Sequence, residues 1–235
     1  MILISNTCVN SIIYKDYYKQ PYNNPFVNCF IGIKDFTKLV SEYSRSLNQE
    51  YKFYVDYSLE RKLINDDFKY IKMLTGIYND RIKVNYLHDT NRKYDLEYCR
   101  EENQRRFYRW LKIKDKELTI FVYVQHPLDT EDDIHRLINL NLCNNCRLRV
   151  YTSYAISTYC DWRQKEKPII DQNYRARDNY TSVIYVKPKS SPIIEFDSSN
   201  YLCNPLQDIL RKECFNLITK DIWKYLQENK IEYNT

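Results

Sequence analysis

The clearest pattern of apolar and polar positions lies between residues 36 and 47. Phe36, Leu39, Val40, Tyr43 and Leu47 recur at i, i+3, i+4, i+7 and i+11, which is the spacing of one helix face. This segment therefore predicts an amphipathic helix. Residues 59–74 predict a further helix by the same reasoning, with apolar positions turned inward.

Short runs of apolar, aromatic and β-branched residues predict strands between the helices. They are residues 26–33, 50–57, 82–87, 118–124, 148–158 and 182–186. The run LTIFVYV at 118–124 predicts the most deeply buried strand. By contrast, residues 88–117 are polar without a clean period, so we expect a long excursion with a single helical turn.

Two helix starts carry capping signals. Asp129 and Thr130 precede a short helix that would bury Ile134 and Leu137. Near the end of the chain, Pro205 follows an N-cap asparagine and opens a long apolar-faced helix. Together the elements predict an α+β fold with a mainly antiparallel sheet core.

Residues 1–25 are apolar and aromatic but badly phased for one long helix. We expect an N-terminal arm over 1–25 and a single globular domain over 26–235. Such an arm either packs on its own domain or reaches a neighbouring subunit. The candidate assembly residues in this arm are Ile2, Ile4, Ile12, Ile13, Tyr14, Tyr17 and Tyr18.

Composition narrows the classes of function. The 235 residues include 24 tyrosines but only 2 glycines, so a glycine-rich phosphate loop is excluded. The net charge of +5 is weakly basic, which makes nucleic acid an unlikely dedicated partner. The eight cysteines have irregular spacing and indicate thiols in a reducing compartment. With no leader pattern and no apolar run of about 18 residues, we expect no membrane partner.

Cys143 and Cys146 have the spacing of zinc ligands, although a zinc site needs four. The alternative is a pair of ordinary thiols near a turn, and we expect no metal. The histidines, His88, His126 and His135, lie in no motif with a nucleophile, so we expect no catalytic residue. The acidic run 131–133 suits either a hard cation or the first turn of a helix.

The densest basic and aromatic cluster is RRFYRW at 105–110. Guanidinium groups suit phosphate and rings can stack on bases, so this cluster is a candidate for phosphate or nucleotide contacts. The candidate residues are Arg105, Arg106, Arg109, Arg175 and Arg177. The alternative is a salt-bridged interface or a solvated loop.

The tyrosines suggest extensive protein contacts, because tyrosine is enriched at interface cores. Base composition of the genome is an alternative explanation for part of the excess. Tyrosine ionises near pH 10, so an assembly of such subunits would be cohesive at neutral pH and repulsive at alkaline pH.

The segment from Ile31 to Tyr43 resembles the stretch entering the long helix of cypovirus polyhedrins. The matching positions are Gly32, Ile33, Asp35, Lys38, Glu42 and Tyr43. The following segment 50–59 is similar, as is the last helix from Asp208 to Trp223 with Cys214 inside it. About 45 of the 235 residues carry the resemblance.

The resemblance implies an antiparallel β-sandwich flanked by helices, with a projecting N-terminal helix or arm. It implies homotrimers that build a crystal lattice in the cytoplasm of the infected host cell, where these inclusion bodies embed virus particles. Such crystals dissolve at alkaline pH and release the virions. No cofactor is required, although ATP or GTP serves some members as a structural ligand.

The main hypothesis is therefore a self-assembling viral structural protein, not an enzyme. The alternative is a nucleic-acid-binding protein of an AT-rich virus or plasmid, with residues 105–110 at its centre. A third class is an enzyme without a familiar motif.

Overall fold

The fold contains two β-sheets with helices packed around them. The computed structural model describes residues 1–43, 51–56, 74–79, 81–86, 96–125, 129–152, 171–176, 180–185 and 205–233. Its helices are α1 (Val9–Ile12), a π-helix (Ile13–Tyr18), α2 (Ile33–Glu42), α3 (Leu96–Ile113), α4 (Glu131–Ile138) and α5 (Pro205–Glu228). Its strands are β1 (Ile2–Ser5), β2 (Cys29–Phe30), β3 (Lys52–Asp56), β4 (Leu74–Tyr78), β5 (Lys83–Tyr86), β6 (Thr119–Val124), β7 (Cys146–Thr152), β8 (Asp171–Ala176) and β9 (Thr181–Tyr185).

The predicted α+β class is confirmed, but the strand directions differ from a purely antiparallel sandwich. The smaller sheet, in the order β2-β5-β4-β3, is antiparallel. The larger sheet has the order β1-β6-β7-β9-β8, and its first four strands are parallel. The connection between β6 and β7 shows the reason. It contains α4, and a helical connection carries the chain back to the end of the sheet where β6 began, so that β7 runs in the same direction as β6.

The larger sheet is covered on both faces. Ile4, Phe121 and Val150 contribute one face to a core cluster shared with α2, α3, α4 and the smaller sheet. Leu3 and Val122 contribute the other face to a second cluster with α1, the π-helix and α5. A strand buried on both faces reads as a continuous apolar run, which is why the prediction of a deeply buried strand at 118–124 is confirmed by β6.

The N-terminal residues do not project from the domain. Ile2 and Ile4 lie in β1 and are fully buried, since β1 pairs in parallel with β6. Ile13 and Tyr14 begin the π-helix and are also buried, whereas Tyr17 is partly exposed. Ile12 closes α1 and Tyr18 ends the π-helix. The boundary between an arm and a domain at residue 25 is thus absent from the packing, because both faces of β1 contribute to the core.

The outer edge of β1 is closed by side chains instead of another strand. The backbone N–H of Leu3 donates to the Tyr14 hydroxyl at 2.7 Å. The Leu3 carbonyl accepts from the amide nitrogens of Asn24 at 3.2 Å and Asn10 at 3.3 Å. The Met1 carbonyl accepts from Asn23 Nδ2 at 3.0 Å. An exposed strand edge invites pairing with other chains, and these buried amides satisfy the same groups internally.

The same side chains also hold one another. Tyr14 donates to Asn23 Oδ1 at 2.9 Å, and Asn24 donates to Asn23 Oδ1 at 3.1 Å. Asn24 Oδ1 accepts from the backbone N–H of Phe26 at 2.9 Å. We call Tyr14, Asn10, Asn23 and Asn24 the edge network. It fixes residues 1–26 against the sheet.

The interpretation of residues 88–117 as an excursion is wrong over most of its length. Residues 96–113 form α3, an 18-residue helix. Its buried positions are Cys99, Asn103, Arg106 and Trp110, followed by Lys114 just beyond its end. These positions keep a helical spacing, but three of the five are polar, so the apolar period is hidden in the sequence.

Other predicted elements are confirmed with shifted ends. The strand expected at 26–33 is shortened to β2, because α2 begins at Ile33. The long terminal helix is confirmed as α5. The helix expected over residues 59–74 lies outside the described residues except at Leu74, where the expectation is wrong because Leu74 begins β4. Residues 44–50 and 153–158 also lie outside the described residues.

We expect Tyr14→Phe to lower the free energy of unfolding by about 1–3 kcal/mol, because the buried Leu3 N–H loses its acceptor. Chemical denaturation would measure the loss. The matched control is Tyr108→Phe, since Tyr108 is 56% exposed and its hydroxyl can be replaced by water. Equal effects of the two variants would contradict the role of the edge network.

Candidate functional site

The parallel strands of the larger sheet bring their carboxyl ends to one edge. β1 ends at Ser5, β6 at Val124 and β7 at Thr152, and the three are neighbours in the sheet. In open α/β sheets, ligands bind in the crevice outside the carboxyl ends of the strands. We call this side the carboxyl edge and take it as the candidate functional site.

Asn6 extends the sheet beyond the end of β1 with its side chain. Its Nδ2 donates to the Val124 carbonyl at 2.8 Å, and its Oδ1 accepts from the Val124 N–H at 2.7 Å. Its backbone N–H donates to the Val122 carbonyl at 3.2 Å, and its carbonyl accepts from Ile31 at 3.1 Å. Because its side-chain nitrogen and oxygen and its backbone N–H and carbonyl are all hydrogen-bonded, Asn6 is held in place and sets the position of the residues after it.

The residues on either side of Asn6 carry the first polar groups of the edge. Ser5 Oγ accepts from the Thr7 N–H at 3.2 Å and lies 3.3 Å from Thr7 Oγ1. Cys8 is the N-cap residue of α1, and its carbonyl accepts from Ser11. Thr7 and Cys8 are both partly exposed. A hydroxyl and a thiol therefore stand at the opening of the edge on a turn that Asn6 holds in place.

The neighbouring strands add further polar groups. The Gln125 N–H donates to the Tyr151 carbonyl at 2.9 Å, and Thr152 Oγ1 donates to Gln125 Oε1 at 2.7 Å. Asp129 accepts a hydrogen bond of 2.6 Å from the Tyr123 hydroxyl just before α4 begins. Burial, followed by the nearby Asp129 charge, raises the Tyr123 pKa, so this hydroxyl remains a donor at neutral pH.

The arrangement offers hydrogen-bonding groups of several kinds. The edge residues are the partly exposed Thr7, Cys8, Gln125 and Asp129, which supply a hydroxyl, a thiol, an amide and a carboxylate, and behind them the buried hydroxyl residues Ser5 and Thr152. None of these six side chains is cationic. They suit a polar molecule read by hydrogen bonds, with Asp129 as the one negatively charged group.

The arginine cluster of residues 105–109 lies on α3 and is paired with carboxylates. Glu102 accepts from Arg105 at 3.1 Å, from Arg106 at 3.1 Å and from Arg109 at 3.3 Å. A second carboxylate, Glu101, lies 3.9 Å from Arg105. This pairing favours the alternative of a salt-bridged surface, and phosphate binding by these residues stays a prediction. Arg175 lies on β8, whereas Arg177 is outside the described residues.

The remaining candidates from the sequence are the acidic run 131–133 and the three histidines. Thr130 and Asp133 form a capping box at the start of α4, which explains the acidic run 131–133 without a cation. Within the described ranges, no group of three or more His, Cys, Asp or Glu side chains is arranged to hold a metal ion. His135 lies on α4, while His88 and His126 are outside the described residues. Among the described helices, none is long and apolar enough to cross a membrane.

A buried arginine also serves structure. Arg149 on β7 is 2% exposed and pairs with Asp221 of α5 at 2.7 Å. The Tyr151 hydroxyl donates to the same carboxylate at 2.7 Å, and the guanidinium lies 4.1 Å from the Tyr225 ring centroid. Because each charge has a close partner, this group binds α5 to the sheet.

Many tyrosines are core residues rather than contact residues. Tyr14, Tyr43, Tyr123 and Tyr151 are all buried. Desolvation is the largest cause that raises the pKa of each hydroxyl above its ordinary value near 10. Half-buried Tyr18 has its pKa raised to about 12 by burial and by Glu232. In the folded protein these tyrosines therefore ionise only above their ordinary pKa near 10, so the negative charge that the sequence predicts at alkaline pH is smaller.

The sequence reasoning missed the carboxyl edge. Its signal was present, because the apolar run ILI is followed directly by Ser5, Asn6, Thr7 and Cys8 and then by a helix. A buried strand, a polar turn and a helix in that order are typical of a βα unit. The length of only four residues in β1 concealed it.

One family model matches residues 1–187, and its description is "Domain of unknown function (DUF1919)". The matched range includes all nine strands named above and every edge residue, whereas α5 lies beyond it. A comparison with curated proteins finds no significant match.

We expect the free energy of unfolding to fall steeply above pH 10. A raised pKa keeps a tyrosine neutral in the folded state while it ionises in the unfolded state, so stability is complete below pH 10 and declines above it. Each such tyrosine contributes a slope of about 1.4 kcal/mol per pH unit. Urea denaturation between pH 8 and about 11.5 would measure the slope.

Tyr123→Phe should reduce the pH dependence of the free energy of unfolding by about 1.4 kcal/mol per pH unit, which is the contribution of one tyrosine. The control is Tyr108→Phe, whose hydroxyl is exposed. A slope that is unchanged in Tyr123→Phe, or equally reduced in both variants, would show that buried tyrosines do not set the alkaline limit.

Proposed function

The chain belongs to the DUF1919 family, and from its geometry we propose that it binds a small polar molecule at the carboxyl edge of its parallel strands. The observation that carries the proposal is that Ser5, Thr7 and Cys8 at the end of β1, Gln125 just after β6 and Thr152 at the end of β7 lie at the same edge of neighbouring parallel strands. The rigid frame beneath these groups supports a site that is formed before the ligand arrives.

The chemistry of the edge favours a particular class of ligand. Hydroxyl and amide groups both donate and accept hydrogen bonds, so they suit a ligand rich in hydroxyl or amide groups. The six edge residues contain no cation, which favours an uncharged polar molecule over a phosphorylated one. Recognition would then depend on geometry more than on charge.

Alkylation of Cys8 tests the proposal. The folded chain is treated with iodoacetamide in the presence of monosaccharides, nucleosides or amino acids, each as a separate probe. We expect one class of probe to slow the labelling of Cys8 and to raise the thermal midpoint. A probe at 100 times its Kd would stabilise the protein by about 2.7 kcal/mol. Cys143, which precedes β7 at the opposite edge, should label at an unchanged rate.

Gln125→Ala should remove the protection of Cys8, because the substitution removes the side-chain amide that the edge offers to the ligand. The matched control is Gln104→Ala, an exposed glutamine on α3. Protection that survives in Gln125→Ala, or stabilisation without any protection of Cys8, would refute a site at this edge.

Self-assembly is a second candidate function, and the outer face of α3 favours it. Tyr98 is 48% exposed and Tyr108 is 56% exposed, and Arg105 and Arg109 lie exposed on the same helix. Tyrosine and arginine are the residue types enriched at protein interfaces. In this proposal, copies of the chain associate through α3 and form the cytoplasmic occlusion bodies that the polyhedrin resemblance implies.

Expression in insect cells, followed by microscopy and light scattering, tests this second proposal. We expect particles at neutral pH that disperse above pH 10 and that are lost in the double variant Tyr98→Ala, Tyr108→Ala. The double variant Gln104→Ala, Lys112→Ala, on the same helix, is the control. A chain that remains monomeric at high concentration and neutral pH would rule the proposal out.

A further inference from the structure

A pair of cysteines lies at the opposite edge of the same sheet. Cys146 is the first residue of β7 and is 1% exposed, whereas Cys143 is only half-buried. The two residues are joined by Asn144 and Asn145 in a turn, which the Cys146 N–H closes by donating to the Cys143 carbonyl at 2.9 Å. The amino ends of β6 and β7 are neighbours here, so the pair is remote from the carboxyl edge.

The turn holds the two sulfur atoms 3.2 Å apart. A disulfide bond measures about 2.05 Å, so a relative movement of roughly 1 Å joins them. A structural zinc ion would need two more ligands. Among the described residues no third metal-binding side chain accompanies these thiols. The geometry therefore favours thiol chemistry between the two cysteines over metal binding.

The two sulfurs differ in access. Cys143 lines a cavity of about 400 Å³ together with Tyr43, Lys114, Asp115, Asn144 and Asn145. Cys146 is covered by the core, and burial followed by its contact with Cys143 raises the Cys146 pKa. An incoming molecule can thus reach Cys143 first, while Cys146 stays protonated behind it.

The cavity is lined by one cationic and one anionic side chain, Lys114 and Asp115, which suit a disulfide that carries both carboxylate and ammonium groups, such as oxidised glutathione. The Lys114 ammonium group lies 3.3 Å from Asp115 at the cavity, with the lysine side chain 10% exposed and the aspartate 76% exposed.

We propose that Cys143 and Cys146 form a thiol–disulfide exchange site whose substrate is a low-molecular-weight disulfide. Cys143 loses its proton and attacks one sulfur of the substrate RSSR, which forms a mixed disulfide and releases one RS⁻. Cys146 then loses its proton and attacks Cys143 Sγ, which releases the second RS⁻. Both thiolates take up the protons, so the chain loses two hydrogens and RSSR becomes two RSH.

Oxidation of the cysteine pair should change the environment of the neighbouring core residues. The Tyr43 hydroxyl, which lines the cavity, accepts from Trp110 Nε1 at 3.2 Å and from Thr119 Oγ1 at 2.9 Å. Thr119 is also the partner of Cys146 in the β6–β7 register. The oxidised and reduced forms should therefore differ in the environment of Trp110.

Oxidised glutathione added to the folded chain of residues 1–235 tests the proposal. We expect mass spectrometry to find a loss of two hydrogens in the peptide that contains residues 143–146. Cys146→Ser should instead accumulate glutathione on Cys143, because the second attack is removed. Cys143→Ser should form neither product at this turn.

The matched control is Cys99→Ser, which removes a cysteine of α3 outside both edges of the larger sheet and should leave the reaction unchanged. If the folded chain stays reduced at 143–146 while the chain unfolded in guanidinium forms the bond, the proposal is overturned. Failure of Cys146→Ser to retain glutathione on Cys143 overturns it as well. Both results are independent of the ligand test at Cys8.

Discussion

The outer edge of β1 has to hydrogen-bond to something, and the architecture depends on how that need is met. Leu3 and Met1 present backbone groups away from β6, and the side chains of Tyr14, Asn10, Asn23 and Asn24 satisfy them. An unpaired buried backbone group would cost about as much as a lost hydrogen bond. Since the network comes from residues 10–24, the chain must fold back along its own first strand, which fixes the start of the domain.

This folding back has a consequence for the site. After β1 ends at Ser5, the side-chain amide of Asn6 makes the two hydrogen bonds to the Val124 backbone that a further peptide unit of the strand would have made. Thr7 and Cys8 are then presented at the opening of the carboxyl edge on a turn with little freedom. Ile2, Ile4 and Tyr14 of this segment were candidates for an assembly arm in the sequence, but they are buried in β1 and its edge network and would have to leave the core before they could bind a neighbour.

Charge is used mainly for structure in the described part of the protein. Glu102 collects three arginines on α3, and Asp221 receives Arg149 between the sheet and α5. A cluster that looks basic in the sequence is thus partly neutralised by its paired glutamates. The two edges of the larger sheet differ in the remaining chemistry, with hydroxyl, amide and carboxylate groups at one and a thiol pair beside a cavity at the other.

The sequence determined the elements in which apolar residues keep the period of the structure. α2, α4, β6 and α5 follow from such patterns, and the capping signals at Thr130 and Pro205 mark helix starts correctly. The α+β class follows from the same elements. The spacing of Cys143 and Cys146 was visible too, but the choice between metal and thiol chemistry was not.

The tertiary structure decided what the local pattern does not encode. α3 turns Asn103 and Arg106 toward the interior, so its buried face does not read as apolar. β1 is a strand because β6 and the edge network complete its hydrogen bonds, and those partners are 7 to 117 residues away in the chain. The carboxyl edge gathers residues from three strands in the same way. Hydrophobic periodicity reports only which side of a segment is buried, whereas strand direction and site assembly depend on contacts between distant segments.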